Sequence, residues 1–423
     1  MSSTTRSRPP FARASRDLRL AGCAVAATVL LAACASDPTG TSAGAGSGDG
    51  AAPVEVSDEA LQDVINRAFL TDIPADDLDP TIRQTMEVAA QEWTPENQDL
   101  LETCLAENVC ETGRGTLTVA FPNDNINPWR QTFRAELTAQ AIASPDVARI
   151  IYSLGTDTTS WLANFNSLVA QQPDVIVMNS IYGSAIAPAV QRAKSAGIIV
   201  VEAETPLPSE VESLVDVQAT SDLCGAYSQG VDQVVEDLPD PAGFALYTGI
   251  PGNASATNWQ PCLVDGLESA GWEQVSQGFT QWSPQGQAQE ANALFASGTN
   301  PALVAYDYTM EDFAAPFLDA GQTPPIMMSD VVNYSYLQQL ADAQSQGIDA
   351  RAFVANSRVW YGRIGVTAGI ELALGGDVEH LIDIPYPMVD AATLSEVFDP
   401  AMPANAPVPT LFTPDQMTGI LAS

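Results

Sequence analysis

From Thr116 onward, short apolar runs alternate with amphipathic stretches, and this alternation constrains the fold more than any other feature. The runs are LTVAF at 117–121, VIVM at 175–178, IIVV at 198–201, FALY at 244–247, ALVAY at 302–306, IMM at 326–328 and AFVA at 352–355. Between them the helical period is explicit, as in Trp161, Leu162, Phe165, Leu168 and Val169. Strands that are apolar throughout must be covered on both faces, so the pattern predicts parallel sheets flanked by helices. About 370 residues follow the N-terminal region, enough for two such domains. In sheets of this kind ligands sit beyond the carboxyl ends of the strands. Candidate functional residues therefore lie just after each run.

The chain begins differently. Arg6, Arg8, Arg13, Arg16 and Arg19 stand against one acid, Asp17, and the apolar run LAGCAVAATVLLAA follows from Leu20 to Ala33. This is the order of a secretory signal, and the run is shorter than the ~20 residues a spanning helix needs. Leu31-Ala32-Ala33-Cys34 resembles a bacterial lipobox. The resemblance implies cleavage before Cys34, a signal peptide over 1–33 and a lipid on that thiol. Residues 34–52 are small and polar and read as a flexible tether. The mature protein is thus expected outside the cytoplasm, at the cell surface or in the periplasm, held to the cell membrane by its lipid alone.

Cys23 leaves with the signal, which leaves Cys104, Cys110, Cys224 and Cys262 beside the lipidated Cys34. An even number in an oxidising compartment favours disulfides. Cys104 and Cys110 are close enough in sequence to pair; the pairing of Cys224 with Cys262, each placed just before a helix, is left open. No C-x-x-C occurs, and the single histidine, His380, lacks ligand-like spacing, so no metal and no cofactor are expected. The whole chain carries 16 basic and 52 acidic residues; removal of the leader leaves 11 against 51. A surface this acidic argues against nucleic acid and against direct contact with anionic lipid.

Residues 53–113 read as a small helical extension. Ser57 can cap a helix that carries Leu61, Val64, Ile65 and Phe69 on one face. Asp79-Pro80 and Thr94-Pro95 each pair an N-cap with proline at the first helical position. Asp76, Asp77 and Asp79 lack the spacing and glycine of a calcium loop.

The strand ends carry a family resemblance over residues 116 to about 394. Asn127-Pro128-Trp129, Gln172-Pro173-Asp174 before VIV, Ala196-Gly197 before the third run, Glu204 after it, Ser221-Asp222 with Gly225, AYDYTM at 305–310, Asp330 after IMMS, and Asn356 six residues before Gly362 follow the order of the type 1 periplasmic binding proteins. The sugar-binding, ribose-binding-like group is the one they resemble. The resemblance implies an α/β fold of two doubly wound parallel-sheet domains with a hinge and an interdomain cleft. Residues 114–220 with about 357–385 would form the N-terminal lobe, and 221–356 with about 386–412 the C-terminal lobe. It also implies the ligand set Asn127, Trp129, Glu204, Gln260, Asp307, Asp330 and Asn356, with crossovers near 219–222 and 356. Lobe closure would present the protein, expected as a monomer, to an ABC permease and its ATPase.

The residue types fit that task. Carboxylates and amides bind adjacent hydroxyls at two points, and an aromatic ring covers the apolar face of a sugar. Blander roles stand beside each: Asn127 and Glu204 as turn or cap residues, Asp307 and Asp330 as helix caps, Trp129 as core. One departure matters. The family usually places an arginine shortly before Gly266, and Asn258 to Asp265 holds none. Glu204, Asp307 and Asp330 would then share a cleft without that cation, unless Arg130 or Arg358 replaces it. A sugar or polyol is the leading ligand, and a cationic or amino ligand is the alternative, with Trp129, Tyr308 or Trp360 as cation–π faces. A sensory lipoprotein would use the same cleft. An enzyme is not expected. The one G-x-S-x-G lies at 40–44 in the tether, His380 is far from the strand ends, and only paired carboxylates, as in a glycoside hydrolase, remain.

Overall fold

The computed structural model describes residues 56–422. The leader, Cys34 and all of the tether lie outside the described residues. Thirteen strands occur among those described: β1 Val109–Glu111, β2 Leu117–Asn123, β3 Val147–Leu154, β4 Val175–Met178, β5 Ile199–Glu204, β6 Val217–Thr220, β7 Gly243–Thr248, β8 Glu273–Phe279, β9 Leu303–Tyr306, β10 Ile326–Ser329, β11 Ala352–Val354, β12 Leu381–Asp383 and β13 Val389–Asp390. They form a seven-stranded sheet in the order β1-β3-β2-β4-β5-β6-β12 and a six-stranded sheet in the order β13-β11-β10-β9-β7-β8. Every neighbour is parallel except β1 with β3 and β11 with β13. The predicted two-sheet α/β fold is what the chain adopts.

Side-chain alternation explains how the first sheet is covered. Val175 and Val177 of β4 pack in one core with Phe133 and Ile364; Ile176 and Met178, on the other face, pack with Trp161, Phe165 and Val190. The helix Tyr361–Ala373 lies tightly on this sheet because glycines face it. A Cβ at Gly365 would come within 2.7 Å of Val177, and one at Gly369 within 2.4 Å of Val175. That helix follows β11 of the second sheet, so the chain crosses back to the first lobe there.

Three segments join the lobes: β6 into the helix Leu223–Asp237, β11 into Tyr361–Ala373, and β12 into β13. Tyrosines hold them in register. Tyr361 and Ser221 share a hydrogen bond of 2.8 Å, Ser221 donates to Ile384 O at 2.9 Å, and Tyr386 donates to Asn356 O at 3.2 Å. The sequence leads us to expect crossovers near 219–222 and 356, and a lobe boundary near 385.

A fourth crossing comes from the C-terminal segment. Val408 N donates to Val332 O on the second lobe, while Leu411 N and the Thr410 hydroxyl donate to Glu136 on the first at 2.8 and 2.9 Å. Glu136 is fully buried and also pairs with Arg363.

The extension forms the expected helices: Asp58–Phe69 capped by Ser57, Pro80–Ala89 by Asp79 and Pro95–Ala106 by Thr94. It is not wholly helical, because β1 joins the first sheet antiparallel to β3. It also packs behind the hinge. The Trp360 indole donates to Ala68 O at 3.0 Å and meets Phe69 edge-on. Disulfides join Cys104 to Cys110 and Cys224 to Cys262. Cys224 and Cys262 sit inside the helices Leu223–Asp237 and Ala254–Ser269, not before them as the sequence suggested. Among the described residues no helix is long and apolar enough to cross a membrane.

Candidate ligand-binding site

The carboxyl ends of both sheets face one cleft, with about 510 Å³ of empty space in it and at its open mouth. Asp124, Asn125, Asn127, Trp129, Arg130, Ile181, Glu204 and Thr205 line it from the first lobe; Ser255, Trp282, Asp307, Tyr308 and Val331 line it from the second; Arg358 lies at the crossing between them. Asn127 also caps the helix Pro128–Ala143, accepting from Arg130 N at 2.9 Å. The cap and the cleft-lining position therefore coincide. Asn127→Ala is expected to cost about 1 kcal/mol of folding stability through the cap alone, read by urea unfolding without ligand.

Two arginines organise the charge. Arg358 Nη1 lies 2.7 Å from Glu204 Oε1, an ion-pair contact too poorly angled for a hydrogen bond, and Nη2 donates to Asp330 Oδ2 at 2.5 Å. Glu204 Oε2 accepts from Asn179 and, at 2.6 Å, from the Thr205 hydroxyl. Arg130 pairs with Asp124 at 2.7 Å and covers the Trp129 ring at 4.8 Å. Both cations suggested as substitutes for the missing family arginine are thus in the cleft.

Asp307 is held differently. Thr248 donates to its Oδ2 at 2.5 Å and the Trp282 indole to its Oδ1 at 3.0 Å, while Asn253 donates to the Thr248 hydroxyl at 2.8 Å. Burial, with the nearby Asp330 charge, pushes Asp307 up to about 7, against those hydrogen bonds. Burial also raises Asp330 to about 6, although Arg358 opposes it. Below the cleft, burial lifts Glu202 well above the carboxylate range.

Backbone strain gathers at the same place. Glu204, Trp282 and Arg358 have φ of 103°, 45° and 57°. Such conformations cost about 1–3 kcal/mol each and persist where surroundings enforce them. Gly249 makes room for Trp282, since a Cβ there would lie 1.9 Å from its ring.

Several expectations need correction. Gln260 does not line the cleft; it sits more than one turn along the helix Ala254–Ser269, whose first turn contributes Ser255 instead. Asp330 is fully buried and acts on the cleft through Arg358. Asn356 is also fully buried in the hinge, its side-chain oxygen accepting from Arg358 N at 3.0 Å. Neither Asp307 nor Asp330 is an N-cap, a place held by Met310 and Asn333. Trp360 belongs to the back of the hinge, not to the cleft. His380 is exposed on the first lobe, its ring bonded to Asp216 O. Among the described residues no cluster suited to a metal ion occurs. Trp282 and Asp124 were missed: the polar β8 gave no apolar run to lead to Trp282, and Asp124 immediately follows β2.

A family model described as a periplasmic binding protein domain matches residues 118–377. No curated protein matches the chain. Solved structures share the fold. An ABC transporter solute-binding protein from Bacillus halodurans with bound myo-inositol is 18% identical with a TM-score of 0.58, covering 67% of this chain and 97% of that one. The periplasmic binding component of an arabinose ABC transporter from a Shewanella species, bound to L-arabinofuranose, is 16% identical with a TM-score of 0.59, covering 66% and 94%. A solute-binding protein from Agrobacterium vitis with bound D-fucose is 16% identical with a TM-score of 0.57, covering 64% and 94%.

Proposed function

This chain belongs to the periplasmic binding protein domain family, and from that premise we propose that it is a lipid-anchored, extracytoplasmic solute receptor for an ABC importer. Its two lobes close on a small polyhydroxylated ligand, a sugar or polyol. The observation that carries the reading is the cleft itself. Carboxylates and guanidiniums from both lobes and the hinge line it beside Trp129, Trp282 and Tyr308. Charged groups of this kind hold adjacent hydroxyls at two points, and the aromatic rings suit the apolar face of a sugar. Arg358, which lines the cleft, has its Nε buried without a hydrogen-bond partner. Buried polar groups left unpaired are costly, and a ligand that satisfies them gains selectivity over analogues lacking the matching hydroxyl.

Closure needs no chemistry. A ligand favours the closed state by the extra contacts it makes there. The Cys34 lipid would hold the receptor beside the permease, with the tether giving reach.

A thermal-shift panel of pentoses, hexoses, cyclitols and their amino derivatives tests the reading. A ligand at a hundred times its dissociation constant adds about 2.7 kcal/mol of stability. If no member of the panel shifts the transition, the reading is wrong. Asp330→Asn removes the charge that orients Arg358. With the best ligand of the panel, calorimetry is expected to show about 1–3 kcal/mol of lost affinity.

A further inference from the structure

We propose that the cleft selects hydroxylated ligands that carry an ammonium group, with the Asp307 carboxylate as the group that receives it. This rests on the sugar-or-polyol reading and narrows it. Four carboxylates belong to the cleft and its floor, Asp124, Glu204, Asp307 and Asp330, against two guanidiniums, Arg130 and Arg358. The pairing is uneven. Arg130 serves Asp124, and Arg358 is shared by Glu204 and Asp330. Among the described residues no arginine or lysine forms an ion pair with Asp307.

Asp307 nonetheless keeps a geometry that fits a charged partner. A carboxylate has about four acceptor sites; Thr248 and Trp282 take one on each oxygen, and the residue borders the cleft while only 6% exposed. The indole Nε1 of Trp282 is committed to Asp307, so its ring stays in the cleft wall beside the acid. With Trp129 and Tyr308 it supplies aromatic faces that attract a cation, an effect that strengthens where water is excluded. A second observation is independent of the acids: Arg358, which lines the cleft, has its buried Nε without a hydrogen-bond partner. A hydroxyl oxygen of the same ligand would satisfy this donor, which an ammonium group cannot. The site therefore asks for both kinds of group in one molecule.

Charge linkage gives the proposal a pH signature. The groups facing Asp307 are Asp330 and Arg358, its donors Thr248 and Trp282, its neighbour Tyr308, and Asp124, Arg130 and Glu204 across the cleft. With burial and the Asp330 charge pushing Asp307 up to about 7, it is largely protonated at pH 5 and must ionise to receive an ammonium group. Ammonium ligands should bind more weakly as the pH falls through this range, whereas a neutral sugar has no such requirement of Asp307.

The test is calorimetry on matched pairs with the full mature protein: glucosamine against glucose, galactosamine against galactose, and an amino-inositol against myo-inositol. The expected result at pH 7 is that the amine of at least one pair binds ten times or more tighter than its neutral parent. That preference should shrink at least tenfold at pH 5 and vanish in Asp307→Asn. The variant removes a buried charge that lacks a cation, so its unfolding transition at pH 8 should be no lower than that of the parent, which separates lost preference from lost fold. If neutral sugars bind and their amines bind no tighter, or if Asp307→Asn keeps the preference, the inference is overturned while the sugar-or-polyol reading stands. If neither member of any pair binds and the wider panel is also silent, both fail.

Discussion

Arg358→Ala is expected to destabilise the protein by about 3–5 kcal/mol at pH 8, the usual cost of removing one partner from a buried ion pair. Arg358 is only 3% exposed and compensates two carboxylates that are themselves buried, Glu204 on the first lobe and Asp330 on the second. Without the guanidinium both acids remain in a site of low polarity and at close quarters. The result should depend on pH in one direction. Asp330 already titrates near 6 with Arg358 present, above its usual value, so its ionised form is the one burial penalises. Removing the cation raises it further. The loss should therefore be full at pH 8, where ionisation is forced, and smaller at pH 5, where protonation relieves it. Urea unfolding at the two values measures this. Losses below 1 kcal/mol at pH 8 would mean that Arg358 does not hold the lobes in this arrangement. Arg358→Lys keeps a charge but not the fork that reaches two carboxylates, and should recover only part of the loss.

Glu136→Ala is the second large effect, again about 3–5 kcal/mol, at a place remote from the cleft. Glu136 is fully buried on the helix Pro128–Ala143 and is the acceptor for Arg363, the Thr410 hydroxyl and Leu411 N. Its removal leaves the buried Arg363 cation and Leu411 N unpaired, and the Thr410 hydroxyl with only the weak Met417 sulfur acceptor. It also detaches the C-terminal segment from the first lobe, because only Pro409 separates the Val408 contact with the second lobe from the Thr410 contact with the first. Two readouts are expected together: a lower unfolding midpoint, and new protease cleavage between residues 409 and 422. Glu136→Gln keeps an acceptor for Thr410 and Leu411 while losing the charge, so it should fall between. A variant as stable as the parent, with its C-terminus still protected, would show that this crossing carries no load.

What could be read from sequence follows from where each strand lies. β2, β4, β5, β7, β9, β10 and β11 are interior strands covered on both faces, and each announced itself as an apolar run. β8 is an edge strand of mostly exposed residues, EQVSQGF, and β6 offers only VQAT, so neither gave a signal. Missing β8 meant missing Trp282, which follows it into the cleft. β3 is half exposed beneath the short β1, and its alternation was too irregular to stand out. In the site, the family resemblance at the strand ends led to Asn127, Trp129, Glu204 and Asp307, which line the cleft as loops after strand ends do in such sheets. It failed for Gln260, which is placed by helix register, and for Trp360, whose neighbours Ala68 and Phe69 belong to an extension nearly 300 residues earlier. The C-terminal crossing has no periodic pattern at all. Its path is set by Glu136, a tertiary partner that local sequence does not reveal.

The most direct measurement is a crystal structure of the mature protein with the tightest ligand from the panel. The expected result is density for that ligand between the lobes, within hydrogen-bond reach of Asp307 and of Arg358, and against at least one of Trp129 and Trp282. A ligand seated elsewhere on the molecule, or a cleft that stays empty while the ligand is bound, would contradict it.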